Sequence, residues 1–396
     1  MGRSEFVALV AMMTATIAFS IDAMLPALPQ IAADLSPGAP ENAALILSSF
    51  LLGIGLGTFV AGPLADAFGR KPVILAGAAV YIVCAAIAWR SQSLELVLLA
   101  RAVQGFGAAA PRVVSIAVVR DRYAGRQMAQ ITSVVMMIFV LVPAVAPLLG
   151  SFIIDAAGWR GIFIAFIVFA CVFSSWMMIR LPETLPVSQR RPIRLALMLD
   201  AVREMFANRG VRLSILVQTL TMSFLFLTLM LVQPIYDLEY GRASEFPFWF
   251  FIVALIAGSA SLLNALLVVR FGMVRLVTIA LGAQVLISAS FFALDLGNGP
   301  QGFYFFVFWQ TCAFFQAGLT LGNLNALAME PMGHIAGMAA SVIGAVSTVG
   351  ASMISALIAL LIGPVESGLF LAGLGLAIGG FSVTLMMGRA MRQPAI

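Results

Sequence analysis

One acidic residue, Asp22, lies well inside a long apolar segment near the start of the chain. An ionised carboxylate in hydrocarbon costs at least about 2.5–3.5 kcal/mol on insertion scales, so it must face a cavity, pair with a cation or bind a proton. Proton uptake and release is therefore the chemistry that Asp22 predicts. Pro26 and Pro29 leave a second interpretation open, in which Asp22 is hydrogen-bonded at an early helix end.

Arg101 is a cation inside another apolar segment, and Gln104 and Gly105 follow it. A guanidinium within a span needs acceptors, and neighbouring glycines let another helix approach closely. Arg101 is therefore expected to be the partner of Asp22, with helix packing as its alternative role. Arg112 fits no motif and can snorkel towards the nearer membrane surface.

A second group of charges lies between the second and third apolar segments, in Gly62-Pro63-Leu64-Ala65-Asp66-Ala67-Phe68-Gly69-Arg70-Lys71-Pro72. An acid and a basic pair are flanked there by glycines, in a stretch too short to form a domain. The pattern is typical of a hinge loop in a membrane transporter, and it predicts a gating role for Gly62, Asp66, Gly69, Arg70 and Lys71.

The composition indicates that lipid surrounds the helices that carry these residues. Of the residues, 62% are apolar and 10% are charged, against about 45–50% and 25% in soluble domains. The basic residues are scattered in short loops, which argues against nucleic-acid binding. Three isolated cysteines offer no metal-ligand spacing, and no nucleophile–base pair is evident. We therefore expect neither an enzyme nor a cofactor.

The chain is predicted to be an all-α integral membrane protein with twelve transmembrane helices in two pseudo-symmetric six-helix bundles. The apolar segments have the length that a bilayer requires, and they span residues 6–28, 43–63, 72–90, 95–118, 129–153, 160–180, 211–233, 247–269, 276–294, 302–325, 337–361 and 367–388. The predicted domains are an N-terminal bundle over 1–180, a cytoplasmic linker over 181–210 and a C-terminal bundle over 211–396.

Within the linker, apolar residues recur at helical spacing opposite charged ones. This pattern predicts an amphipathic helix on the membrane surface, and a plain solvated linker is the alternative. The apolar positions are Leu195, Leu199, Val202 and Phe206, and the charged ones are Arg194, Asp200 and Arg203.

The distribution of arginines predicts that both termini are cytoplasmic, because loops on that side of a membrane carry the excess of basic residues. The single histidine, His334, falls in a loop on the same side, where a local hydrogen bond is its expected role. The basic residues assigned to that side include Arg3, Arg70, Lys71, Arg120, Arg122, Arg126, Arg180, Arg190, Arg191, Arg194, Arg270, Arg275, Arg389 and Arg392.

Several motifs occur in the order found in twelve-span drug:proton antiporters. They are Ser20-Ile21-Asp22 with the two prolines that follow, the 62–72 run, the R-x-x-Q-G element at 101–105, Arg120-Asp121, the 145–150 element and the 181–186 element. The chain resembles the bicyclomycin/chloramphenicol-resistance subfamily of the major facilitator superfamily. This resemblance implies that Asp22 carries the proton, that Arg101 senses it, and that Asp66, Arg70 and Asp121 form a cytoplasmic latch.

The element in the fifth span corresponds to the antiporter motif of that family, and it comprises Pro143, Pro147 and Gly150. The resemblance implies a bent helix that packs against its neighbour from the second half. Two positions depart from the family pattern, since Ala146 and Ser151 replace glycines. Close packing at this contact is therefore expected to differ.

The resemblance implies proton-coupled export of small amphipathic molecules or drugs across the bacterial inner membrane by a monomer. The alternative is a narrow-specificity transporter of a metabolite such as a siderophore, amino acid or osmolyte. Deformable, aromatic and amide side chains suit varied ligands, although many such side chains contact lipid or other helices. The candidate substrate-binding residues are Asp22, Met136, Phe139, Gln218, Met222, Phe226, Gln310 and Asn325.

Overall fold

The computed structural model describes residues 1–390 except 191 and 194. Its described residues form helices and no strands, and twelve helical segments are long and apolar enough to cross a membrane. The predicted all-α fold with twelve spans is confirmed. Arg191, Arg194 and Arg392, which were assigned to the cytoplasmic side, lie outside the described residues.

The chain divides into two compact units, Met1–Leu195 and Ala196–Ile396, and the division falls within the predicted linker. The helices of the first unit are α1 (Arg3–Asp22), α2 (Leu28–Leu35), α3 (Leu45–Phe68), α4 (Arg70–Arg90), α5 (Leu94–Arg122), α6 (Gly125–Ala157) and α7 (Gly161–Arg180). Those that follow are α8 (Leu195–Ala207), α9 (Arg209–Leu238), α10 (Phe246–Phe271), α11 (Met273–Ala293), α12 (Gly302–Met329), α13 (Ala336–Ile362) and α14 (Glu366–Ala390).

The first span is interrupted where the sequence predicts one continuous helix over 6–28. The helix α1 ends at Asp22, a short 3₁₀ turn covers Leu25–Ala27, and α2 continues the span to Leu35. Pro26 and Pro29 are the second residues of the two later segments. Proline lacks an N–H and is best accommodated in the first turn of a helix, so each proline lies where a new segment begins.

The predicted hinge loop is much shorter than its sequence suggests. Residues 62–68 belong to α3 and residues 70–72 belong to α4, so that only Gly69 separates the two helices. Gly69 has φ +105° and ψ 159°, a combination that is essentially restricted to glycine. A single residue therefore turns the chain, and the charged side chains are held on helices.

Glycines draw α3 and α5 together in the first unit. A Cβ placed on Gly53 would lie 1.9 Å from the carbonyl oxygen of Ala102, and one on Gly105 would lie 2.0 Å from that of Phe50. Any side chain at either position would force the two backbones apart. The expected close approach at Gly105 is therefore confirmed, and it fixes the position of Arg101 on α5.

The second unit has an apolar core cluster formed by Val217, Val277, Leu281, Leu324, Leu327 and Met387. The helix α8 lies beside this unit with Ala201 and Met205 buried, whereas Leu199 is 53% exposed. The linker segment therefore contains a helix, and part of its apolar surface is left for solvent or lipid. The side chain of Leu195 lies outside the described residues.

Candidate functional site

Asp22 is the last residue of α1 and is only 5% exposed. No hydrogen bond or ion pair of its carboxylate is found among the described residues, which cover all of α1 to α7. The next residue, Ala23, touches α6, since a Cβ on Gly150 would lie 2.4 Å from its carbonyl oxygen. Asp22 is thus an embedded acid that packing holds in place and that no cation of the described residues neutralises.

Arg101 is fully buried but does not pair with Asp22. Its Nη1 donates to Oε1 of Gln104 at 2.9 Å, and its Nη2 donates to the carbonyl oxygen of Ser20 at 2.9 Å. The guanidinium also stacks 4.0 Å from the ring centre of Phe50. The expected side-chain pair is therefore absent in this structure, because the aromatic ring and the glutamine hold Arg101 at the backbone two residues before Asp22.

Ser20 connects a third buried polar group to this arrangement. Its Oγ lies 2.6 Å from the hydroxyl oxygen of Tyr81 on α4 and donates to the carbonyl oxygen of Thr16. Tyr81 is 1% exposed. The sequence did not point to Tyr81, because one tyrosine in an apolar span is also what packing or a membrane interface would produce. Ser20 was noticed only as part of a motif.

At the other end of the first unit, Arg70 joins two acids from neighbouring helices. Its Nη1 pairs with Oδ1 of Asp66 on α3, and its Nε pairs with Oδ2 of Asp121 on α5 at 3.1 Å. The side chains of Arg70 and Asp121 are 8% and 16% exposed, so their pair is shielded from water far more than surface pairs are, whereas the side chain of Asp66 is 49% exposed. The structure thus brings together the three residues that the sequence assigns to a latch.

Glu183 completes this junction, although no role was predicted for it. Its Oε1 accepts the backbone N–H of Arg70 at 2.9 Å, and its Oε2 accepts that of Lys71 at 3.1 Å. A carboxylate at this point satisfies the first free N–H groups of α4 and complements the helix dipole. A Cβ on Gly69 would lie 2.7 Å from Oε2 of Glu183, so glycine is required there for space as well as for φ.

The remaining predicted gating residues differ in their contacts. The Nζ of Lys71 donates to the carbonyl oxygens of Met178 and Leu181, both at 2.8 Å. Gly62 lies on α3, one helical turn before Asp66. Arg120 is exposed near the end of α5 and takes part in none of the ion pairs of the described residues.

The antiporter element lies in the middle of α6. Pro143 and Pro147 stand inside a helix that continues without a break from Gly125 to Ala157. The Oγ of Ser151 donates to the carbonyl oxygen of Pro147 at 3.1 Å. Gly150 provides the contact with Ala23 described above. Within the first unit, this element therefore packs directly beside the residue that follows Asp22.

The candidate substrate residues fall in different surroundings. In the first unit, Met136 is 39% exposed and Phe139 is partly exposed. In the second unit, Gln218 and Phe226 are buried on α9, Met222 is partly buried, and Asn325 on α12 donates to the sulfur of Met329 at 3.6 Å. Gln218, Met222 and Phe226 stand at four-residue spacing on α9 and so share one face of that helix.

Buried amides are the main polar feature of the second unit. Gln310 accepts a hydrogen bond from the hydroxyl of Tyr236 at 3.1 Å, and its Nε2 has no partner. The Oε1 atoms of Gln218 and Gln233 are also buried without a partner. Gln218 and Gln233 occupy the same face of α9 by helical periodicity. Such groups stay buried at a cost of about 1–3 kcal/mol each unless a ligand or water bonds them.

Two further residues have local roles. The Nε2 of His334 lies 2.8 Å from Oε1 of Glu204 on α8, so its expected local contact reaches the linker helix. Trp309 on α12 is fully buried and donates to Oγ of Ser288 at 3.1 Å. In the described part of the chain, no group of three or more metal-ligating side chains comes together.

Comparisons with known proteins agree with this architecture. The family model described as Major Facilitator Superfamily matches residues 9–356. The bicyclomycin resistance protein homolog of Haemophilus influenzae is 29% identical over 86% of this chain and 85% of its own length. The multidrug resistance protein MdtL of Shewanella oneidensis is 29% identical over 93% of this chain and 91% of its own length. A solved D-xylose-proton symporter superposes with a TM-score of 0.75 at 15% identity, covering 96% of this chain and 97% of the symporter.

Proposed function

Because the chain belongs to the Major Facilitator Superfamily, we propose that it exports small amphipathic molecules across the bacterial inner membrane in exchange for protons. The family makes it a transport protein and not an enzyme. The names of the relatives, which include bicyclomycin and multidrug resistance proteins, support export of drug-like compounds. We further propose that it works as a monomer with both termini in the cytoplasm, as the arginine distribution favours.

The observation that carries the proposal is the state of Asp22. Its carboxylate lies inside a membrane span with 5% exposure, and the described helices offer it neither a cation nor a hydrogen-bond donor. A charge in that position is costly unless water reaches it or a proton neutralises it. Asp22 would therefore bind a proton when its surroundings close and release it when they open to water.

Arg101 would couple this proton to the protein by holding the backbone beside Asp22. Its bond to the Ser20 carbonyl joins α5 to the last turn of α1, and the Ser20 hydroxyl continues the connection to Tyr81 on α4. A displacement of Asp22 on protonation would thus shift contacts of α1, α4 and α5. Arg101 acts here as a positioning residue, and it retains its own charge throughout.

The junction around Arg70 would control access at the other end of the first unit. It binds α3, α4 and α5 to the segment that contains Glu183. Alternating access in this superfamily arises from movement of one repeat relative to the other around a site near the midplane. The junction would make the first unit move as a rigid body, so that its loss would slow turnover.

The proposal is tested by transport into proteoliposomes with an imposed pH gradient. A panel of lipophilic drugs, siderophores, amino acids and osmolytes is offered to the wild type and to Asp22→Asn. We expect several chemically unrelated amphipathic compounds to move against their own gradient in the wild type only.

Two results would overturn the proposal in different ways. Uphill transport of a single metabolite would support the narrow-specificity alternative. Transport that is indifferent to the pH gradient, or that survives in Asp22→Asn, would remove the assigned coupling.

A further inference from the structure

Two carboxyl groups meet at one end of the second unit. Glu239 directly follows α9, and Glu366 is the first residue of α14. Both lie in sequence at the ends of long apolar segments, where an acid is usually solvated. The structure departs from that expectation at Glu366, which is buried.

Glu366 is buried, with 4% exposure, and its Oε2 has no hydrogen-bond partner. None of the ion pairs formed by the described residues includes Glu366 or Glu239. A buried carboxylate that lacks both a cation and a full set of donors is unstable as an anion. Glu239 lies at the surface, so solvent can deliver protons to the pair.

A tight loop covers Glu366. A Cβ on Gly297 would lie 2.6 Å from Cγ of Glu366 and 3.3 Å from its Oε1. The carbonyl oxygen of Gly297 accepts a hydrogen bond from the hydroxyl of Tyr240 at 3.1 Å. The loop is therefore fastened to the segment that carries Glu239, and it leaves no room for a larger residue over the buried carboxyl group.

The two carboxyl groups lie within hydrogen-bonding reach of each other. A hydrogen bond between two carboxyl groups requires that one of them be protonated. Partial burial, the charge of Glu366 and this hydrogen bond raise the pKa of Glu239 above the ordinary glutamate value. Burial and the two carboxylates raise the pKa of Tyr240 also, so the phenol remains a neutral donor.

The other ionisable groups of the neighbouring segments do not neutralise the pair. Arg242 is engaged with Glu245 at 3.2 Å, and Asp295 accepts a bond from Asn298 at 2.7 Å. Asp237 adds a further acid near the end of α9. The surroundings are thus acidic, which favours uptake of a proton over ionisation of both carboxyl groups.

We propose that Glu239 and Glu366 form a proton-binding site distinct from Asp22, in which the two carboxyl groups share one proton and fasten the end of α9 to the start of α14. Loss of that proton leaves two carboxylates side by side, one of them buried, and separates the two helix ends. A divalent cation is the less favoured ligand, because the described residues include no group of three or more acidic, histidine or cysteine side chains placed to hold a metal ion.

The proposal is tested by infrared difference spectroscopy of the purified full-length protein between acidic and alkaline pH. The Asp22→Asn variant serves as the parent, so that Asp22 does not contribute. We expect the carbonyl band of one protonated carboxylic acid, which titrates above the ordinary glutamate range of about 4.3. Adding Glu366→Gln or Glu239→Gln should abolish this band, whereas the exposed control Glu95→Gln should retain it.

Thermal unfolding gives a second readout that does not depend on transport. A raised pKa in the folded state means that stability is fully present below the unfolded pKa and is lost as pH rises through the folded pKa. The parent should therefore lose thermal stability on alkalinisation, and Glu366→Gln should lose less. A band that persists in both glutamine variants, or a stabilisation by Ca²⁺ or Mg²⁺ that Glu366→Gln removes, would overturn the proposal.

Discussion

In both units a glycine with positive φ turns the chain between two helices at equivalent positions, but the side chains around the two glycines differ. Gly69 with φ +105° separates α3 from α4, and Gly272 with φ +77° separates α10 from α11. Glu183 crowds Gly69, whereas no atom lies within 4 Å of a Cβ placed on Gly272. The repeat has kept the geometry of its turn in both copies, while the charged network is present in the first.

The buried polar groups differ between the units in the same way. In the interior of its spans, the first unit buries the acid Asp22 and the cation Arg101, whereas the second buries the neutral amides Gln218, Gln233 and Gln310 and has its buried acid, Glu366, at the start of a helix. Charged groups inside a span suit energy coupling, whereas unpartnered amides suit ligand recognition. The comparison indicates a division of work, in which the first unit binds the proton that drives transport and the second contributes to substrate contacts.

The largest effect should come from Asp22→Asn. Asparagine keeps the shape of the side chain but cannot take up and release a proton, so transport against a substrate gradient should fall to background. Substrate exchange between equal concentrations should persist. The measurement is transport into proteoliposomes with and without a pH gradient. Asp155→Asn, at an exposed position on α6, is the control and should behave like wild type; uphill transport by Asp22→Asn would contradict the assignment.

Removing the charged junction should have the next largest effect. Asp66→Ala or Arg70→Ala removes at least one charge-assisted hydrogen bond, each worth about 1.5–3 kcal/mol, and should slow turnover roughly tenfold or more with little change in KM. In the second unit, Arg270→Ala and Arg275→Ala are the matched controls, because these arginines form no ion pair among the described residues. An equal loss of turnover in the variants of both units would contradict the comparison. A raised KM with unchanged turnover in Asp66→Ala or Arg70→Ala would contradict it also.

The sequence predicted the parts of the molecule that depend on hydrophobicity. Twelve spans, the all-α fold and the family follow from apolar length and motif order, and all three are confirmed. The interruption of the first span was only an alternative, because Pro26 can kink a helix or start a new segment. The geometry at residues 62–72 was predicted wrongly, because the sequence alone does not show that a single glycine can turn the chain.

The contacts within the site could be predicted only in part. Asp66, Arg70 and Asp121 were grouped because their motif is specific, and the structure places them together. Glu183 was missed because it comes from a segment far away in sequence. The Asp22–Arg101 pair was expected from charge alone, but Arg101 contacts an aromatic ring, an amide and a backbone carbonyl instead. Uncharged partners of a buried cation cannot be identified from composition.

Substituting alanine for Gly69 and for Gly272 should separate the effect of backbone strain from that of steric crowding by a neighbouring side chain. Both backbones lie in a region that costs about 1–3 kcal/mol for other residues, so Gly69→Ala and Gly272→Ala should each lower the free energy of unfolding. Gly69→Ala should lower it further, because its Cβ would meet Glu183 at 2.7 Å. Thermal unfolding of the purified protein measures both. Adding Glu183→Ala should restore part of the lost free energy of unfolding in the Gly69→Ala variant only. If stability is restored in both glycine variants, or in neither, Glu183 does not crowd this turn.

The smallest effects should come from two buried tyrosines, and these compare the units most directly. Tyr81→Phe removes the group bonded to Ser20, and Tyr236→Phe removes the donor to Gln310. Each change deletes one neutral hydrogen bond and should cost about 1 kcal/mol. If the division of work holds, Tyr81→Phe shifts the pH dependence of transport and leaves KM unchanged, because it loosens the residue beside Asp22. Tyr236→Phe should instead alter KM at an unchanged pH profile, since it frees Oε1 of Gln310; the reverse assignment of the two readouts would refute the comparison.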